Sequence, residues 1–262
     1  MNAPRLLLEN VACHYGPVDV LANISLTVQP GEFVSILGPS GSGKSTLFKL
    51  LTGAHRPDAG NMLFDGLPLD GRRPFAFMPQ RDALMPWRRI LDNTTLGLEV
   101  QGLSRHEARK RVMPLFAEFG LSGFERNHPA ELSGGMRQRA ALLRTVVQDK
   151  PMLLLDEPFG ALDALTRTGM QRWLEAMWAH HRWTAMLVTH DVREAVHLSD
   201  RIYVLSPRPA RVLREITIDL PRPRMVDGVT RQQAAEIEAD ILDTLFHPPT
   251  DPTSAPNEDQ TP

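Results

Sequence analysis

Apolar residues fall in short runs along the first eighty positions, then take on a helical period. Residues 5–11 and 20–37 alternate or cluster apolar side chains, with Tyr15-Gly16-Pro17 and Pro30-Gly31 as turn signals between and within them. The pattern predicts an antiparallel start that ends in a buried strand, Phe33-Val34-Ser35-Ile36-Leu37. A helix is expected from about Lys44 to Leu51, stopped near Gly53. Asn61–Phe64 ahead of Asp65-Gly66 reads as a strand and tight turn. Phe75–Met78 reads as a short buried strand running into Pro79-Gln80. From about 90 to 148 the spacing changes: Val112, Leu115, Phe116 and Phe119 recur as on one helix face, which predicts a helical subdomain. Strands are expected again at Met152–Leu155, Ala185–Val188 and Arg201–Leu205, with a helix near 164–181. Strands alternating with helices predict a mostly parallel sheet.

The end of the chain differs. Residues 229–246 predict one more amphipathic helix, through Ala234, Ile237, Ile241 and Leu245. The last fifteen or so residues are rich in Pro, Thr, Asp and Ser and predict disorder. Pro221-Arg222-Pro223-Arg224 reads as a stiff exposed linker, with a basic membrane contact as the alternative.

Bulk properties narrow the class. The chain has 262 residues, enough for one large domain or a core plus a subdomain, and is 42% hydrophobic and 23% charged, ordinary for a globular protein. A formal charge of −2 gives no basic excess and argues against nucleic acid as a partner. The single cysteine, Cys13, excludes an internal disulfide framework and reads as a small packed residue in a reducing compartment. No run of about 18 apolar residues predicts a membrane span, and the first residues lack the apolar stretch of a signal peptide. His180-His181 are neighbours on the expected helix and so do not share a face, which argues against a metal pair.

Two stretches carry chemistry by themselves. Gly38-Pro39-Ser40-Gly41-Ser42-Gly43-Lys44-Ser45 fits the phosphate-loop pattern, followed by Thr46. Its glycines let successive N–H groups point at phosphate oxygens, and the helix beginning at Lys44 adds its positive dipole end. Lys44 is expected to reach the β- and γ-phosphates and Ser45 to ligate Mg²⁺. The second stretch is Met152-Leu153-Leu154-Leu155-Asp156-Glu157, a buried strand ending in two carboxylates that repel each other. A division of labour explains the pair: Asp156 holds Mg²⁺ and Glu157 polarises the attacking water.

With Leu132-Ser133-Gly134-Gly135-Met136-Arg137-Gln138-Arg139 added, the chain resembles the nucleotide-binding subunit of ATP-binding cassette (ABC) transporters, over about residues 5–217. The resemblance implies a P-loop ATPase core with a mostly parallel sheet, an N-terminal antiparallel β subdomain and an inserted α-helical subdomain. It places the cassette at 5–220, the helical subdomain at about 90–148 and a C-terminal extension at 221–262. Gln80 resembles the family's glutamine-loop residue, which senses metal and phosphate. Asp163, in Ala161-Leu162-Asp163, resembles the D-loop, and His190 the switch histidine. Tyr15 sits where the family stacks an aromatic on adenine, with His14 and simple packing as alternatives.

The cofactors implied are ATP and Mg²⁺. Ser133, Gly134 and Gly135 precede a helix and so offer N–H groups to an anion. The resemblance implies that they face ATP held by a second copy of the chain, in a head-to-tail dimer. It further implies transmembrane permease subunits as partners, an extracytoplasmic solute-binding protein acting indirectly, and a place on the cytoplasmic face of the cell membrane.

Leu84-Met85-Pro86-Trp87 after Gln80, with Asp92-Asn93 behind it, resembles importers of nitrate, aliphatic sulfonates and taurine; related importers carry pyrimidine precursors of thiamine. Leu84, Met85 and Trp87 form either a groove for a permease helix or part of the subdomain core. The alternatives in function are an exporter's cassette, a non-transport ABC ATPase, and a P-loop kinase. One cassette, no heptad run and no lid disfavour the last two.

Overall fold

The computed structural model describes residues 5–224 and 228–247; the expected disordered tail lies outside the described residues. The chain opens with strands β1 (Leu6–Tyr15), β2 (Val18–Val28) and β3 (Phe33–Leu37) and helix α1 (Lys44–Leu51). Strands β4 (Ala59–Phe64), β5 (Leu67–Pro68) and β6 (Phe75–Met78) follow. Helices α2 (Ile90–Thr94), α3 (Leu96–Val100), α4 (Arg105–Val112), α5 (Leu115–Glu118) and α6 (Gly134–Val146) fill the next stretch. The last part runs β7 (Met152–Asp156), α7 (Ala164–His181), β8 (Thr184–Thr189), α8 (Val192–Leu198), β9 (Arg201–Leu205), β10 (Val212–Thr217) and α9 (Gly228–Phe246).

Two sheets result. One is antiparallel with order β2-β1-β4-β5; the other has order β10-β9-β3-β8-β7-β6. In the second sheet only β10 runs antiparallel to its neighbour. Its inner strands are apolar at successive positions because both faces are covered. Leu153 and Leu155 of β7 join the cluster under the helices, whereas Met152 and Leu154 join the cluster beneath the antiparallel sheet. A third cluster packs Leu37, Ile202 and Val204 against α8 and α9, through Ala195, Val196, Ala234 and Ile241. Tyr203 ties the two sheets: its hydroxyl donates to the Thr27 carbonyl and accepts from the Thr27 N–H, both 3.1 Å.

The register positions the chemistry. Leu37 pairs with Thr189, Asp156 with Val188, and Met78 with Leu155. The loops leaving β3, β6, β7 and β8 therefore emerge along one edge, at the carboxyl ends of the parallel strands, where open α/β sheets bind ligands.

The segment 221–224 differs from its expected exposure. Arg224 is 2% exposed, and its guanidinium donates to the carbonyls of Leu220, Val196, His197, Ser199 and Ile218. A buried charge is tolerable when its donors find acceptors, and here the last turn of α8 supplies two of them and its cap residue Ser199 a third. Strand β10 and helix α8 are also absent from the sequence pattern.

Candidate active site

The phosphate loop leaves β3 after Leu37 and turns into α1 at Gly43. Gly43 has φ +116°, and an added Cβ would lie 2.8 Å from Leu21 Cδ2, so only glycine fits there. Lys44 is 4% exposed, and its ammonium folds back on the loop, donating to the carbonyls of Gly38 (2.8 Å) and Pro39 (2.9 Å). Burial lowers the Lys44 pKa, partly offset by Glu157 and Asp156. Ser42 is buried and Ser40 exposed. One contributor escaped the sequence: Arg208, from the β9–β10 loop, donates through Nε to the Gly41 carbonyl.

Across the edge, β7 ends at Asp156. Burial, and then the neighbouring Glu157, push the Asp156 carboxyl up to about 6, against the pull of Lys44 and a hydrogen bond from Ser45. Glu157 has φ +43°, a left-handed conformation rare for a side-chain-bearing residue. Its N–H is fixed on the Val188 carbonyl at 2.9 Å. Such strain costs about 1–3 kcal/mol and concentrates at functional sites. The turn aims the carboxylate at two residues predicted to share its site. Gln80 Nε2 donates to Glu157 Oε2 at 2.9 Å, and His190 Nδ1 lies 3.3 Å from Oε1.

Behind His190 sits a group that sequence pattern did not reveal. Glu194, 4% exposed on α8, accepts from Thr189 Oγ1 at 3.1 Å while its Oε1 has no partner. Burial, then Asp191, push its carboxyl up to about 8. Asp191 caps the same helix, accepting from the Glu194 N–H.

Other predicted site residues lie apart from this cluster. Ser133 caps α6, accepting from the Met136 N–H, and is exposed. Among the described residues no hydrogen bond joins Ser133, Gly134 or Gly135 to residues 38–46. Gly135 packs closely, since an added Cβ would meet Thr166 at 3.0 Å. Asp163 caps α7 on the Thr166 N–H, and hydrogen bonding from the Thr166 side chain, then from its N–H, holds the Asp163 carboxyl below the usual range. Tyr15 is 40% exposed and stacks on His55, ring centroids 4.8 Å apart, with Lys49 Nζ 6.0 Å from its centroid. His14 is instead paired with Asp58 at 2.9 Å.

The segment after Gln80 divides. Leu84 is core, 7% exposed, whereas Trp87 stands 74% exposed. Asn93, fully buried, braces the segment between them: it accepts from the Met85 N–H and donates to the carbonyls of Met85, Arg88 and Arg89. His180 and His181 also differ from expectation. At the end of α7 their rings meet edge to face at 4.8 Å, and with Glu118 they bring three potential ligand atoms within 4.8 Å.

A glycine loop with a buried lysine, facing an acidic strand end across a parallel sheet edge, defines a P-loop nucleotide-binding protein. The sequence profile of the ABC transporter family matches residues 21–160. The chain is 46% identical over 245 residues to aliphatic sulfonates import ATP-binding protein SsuB 1 of Rhodococcus jostii, covering 94% of this chain and 95% of that one. It is 42% identical over 244 residues to formylaminopyrimidine import ATP-binding protein ThiZ of Halalkalibacterium halodurans, covering 92% and 96%. Among solved structures, the dimeric ABC transporter cassette MJ0796 superimposes with a TM-score of 0.70 at 31% identity, over 81% of this chain and 98% of that one. The chain belongs to the ABC transporter family.

Proposed function

We propose that this protein is the ATP-hydrolysing subunit of an importer for a small organic or inorganic anion or a related solute, working through a separate membrane permease. The observation that carries the proposal is Glu157, gripped at both carboxylate oxygens by Gln80 and His190 at the sheet edge that bears the phosphate loop. The names of the similar import proteins support the direction of transport. Among the described residues no helix is long and apolar enough to cross a membrane.

In this account the loop amides from Gly38 to Thr46 and Lys44 hold the phosphates. Lys44 exchanges its two loop carbonyls for phosphate oxygens, which lifts the cost of its burial. Tyr15 offers an exposed ring face for adenine. The edge also suits Mg²⁺: the Ser45 hydroxyl, the Asp156 carboxylate and the Gln80 carbonyl are hard oxygen donors, and a cation would keep the perturbed Asp156 ionised. When bound, Mg²⁺ neutralises charge on the phosphate oxygens. Glu157 orients and deprotonates the attacking water, and His190 contacts the γ-phosphate. Charge stabilisation and positioning carry most of the rate.

Ser133 is exposed, and among the described residues no hydrogen bond ties Ser133, Gly134 or Gly135 to their own phosphate loop. We therefore place them against ATP bound by a second copy, which makes nucleotide part of a head-to-tail interface. MJ0796, similar in fold, is dimeric. Asp163 lies on the same exposed side, at the start of α7. Closure and reopening of that dimer would drive the permease, with residues 84–87 at the contact, Trp87 foremost. The cassette would span about 5–220, with 90–148 as its helical subdomain and the remainder as an extension.

The test is growth of a strain lacking the gene. Lost growth on an alkanesulfonate or taurine, kept on inorganic sulfate and restored by the intact gene but not by Glu157→Gln, is the result expected for a sulfonate importer. Unchanged growth on these, with loss on nitrate or a pyrimidine precursor of thiamine, moves the solute and keeps the ATPase. Copurification with ribosomes or DNA rather than a permease would overturn import altogether.

A further inference from the structure

Away from the sheet edge, the second half of α7 and the turn 221–224 enclose a cavity of about 690 Å³. Among the described residues five arginines, Arg172, Arg182, Arg222, Arg224 and Arg231, line it against one carboxylate, Glu175. Ala176, Ala179 and Pro223 complete its wall with apolar surface.

The acceptors here are already used. Glu175 Oε1 accepts the Arg224 N–H at 2.9 Å, and the Arg224 guanidinium is filled by carbonyls. Arg222 is held by Asp200 and the Leu198 carbonyl. Arg222 Nη1 is buried without a hydrogen bond, and Glu175 Oε1 faces it as an ion-pair partner at 3.7 Å. Arg182 and Arg222 both lie over the Trp178 ring, 4.8 and 4.3 Å from its centroid. Among the described residues no acceptor pairs with the side chains of Arg172 or Arg182, and both residues are exposed toward solvent. The potential is felt next door. Burial, then Arg224, Arg222 and Arg172, lower the His197 pKa to about 4.

We propose that this cavity binds a small organic anion, its oxyanion head drawn to the arginines of the lining, among them Arg172 and Arg182, and its apolar body lying on Ala176, Ala179 and Pro223. Guanidinium is the side chain best matched to a planar or tetrahedral oxyanion, because it offers paired donors in a fixed fork. The volume falls in the range of small-molecule pockets, about 300–1,000 Å³, and far exceeds what an inorganic ion fills. This goes beyond nucleotide hydrolysis and does not depend on which solute is imported. A ligand here would touch the Arg222–Arg224 turn that holds the C-terminal end of α8, the helix that follows His190.

The experiment is calorimetric titration of the intact protein with butanesulfonate, octanesulfonate and sodium sulfate; the sulfonates have permanently ionised heads and adjustable tails. Octanesulfonate is expected to bind at least tenfold more tightly than sulfate, since each buried methylene is worth roughly fourfold. Arg172→Glu and Arg182→Glu should each weaken it at least tenfold, and Arg172→Lys less. Ala179→Trp should block it sterically while leaving the charges in place. ATP binding by all four variants should be unchanged, which verifies the fold. Equal affinity for sulfate and octanesulfonate, no saturable binding at millimolar concentration, or binding that survives both charge reversals and Ala179→Trp would each overturn the proposal.

Discussion

Glu194→Gln tests the electrostatics behind His190. In the folded chain the Glu194 carboxyl keeps its proton until about pH 8; its ordinary value is 4.5. Between those values the folded state holds a proton that the unfolded chain has released. Stability therefore falls as pH rises through this window, by about 1.4 kcal/mol per unit at most. Across the window the loss is bounded at about 5 kcal/mol, and protein relaxation makes the real figure smaller. Glutamine is the neutral isostere. Its carbonyl can accept from Thr189 Oγ1, and its amide takes the place of an oxygen that has no partner. At pH 5 the two proteins should then agree within about 1 kcal/mol. At pH 8 the variant should be the more stable by a few kcal/mol. Urea unfolding at each pH unit from 5 to 8, taken as the difference between variant and parent, cancels every other titration. A difference that stays flat across the window would show that Glu194 is ionised in the fold, balanced by Arg167, and would refute the argument.

Three further outcomes follow from the geometry. Trp87→Ala removes a 74% exposed ring and should weaken copurification with the permease while sparing ATP binding; equal loss of both, or of neither, counts against a docking role. Asn93→Ala takes the acceptor from the Met85 N–H and the side-chain donor from the Arg88 carbonyl, while the carbonyls of Met85 and Arg89 keep backbone partners, and should cost about 2–4 kcal/mol by urea unfolding. Gly43→Ala forces a left-handed alanine against Leu21 and Val20, and should lower nucleotide affinity at least tenfold in a fluorescent ATP titration; wild-type affinity would mean that the loop has room to shift.

The inner strands were legible because burial on both faces leaves uninterrupted apolar runs, and the phosphate loop because its backbone demands glycine at fixed spacing. Strand β10 was not, since Val212–Thr217 is an edge strand carrying Arg214 and Glu215. Helix α8 is seven residues long, too short to show a period. The burial of Arg224 was hidden because its partners are carbonyls, which sequence does not display. Asn93 and Glu194 were missed for a related reason: a buried polar group shows its purpose only through what it touches. Gln80 and His190 were placed beside Glu157 through the family resemblance; strand register explains their meeting, and no local pattern would have given it.

The central claim is that Glu157 activates water for hydrolysis of bound ATP. Glu157→Gln keeps the shape and the contact to Gln80 but removes the base. Phosphate release by the purified variant should fall roughly 10²–10⁴-fold, while ATP affinity stays within a few-fold of the parent. Near-parental turnover by the variant would contradict the account and remove Glu157 from the chemistry.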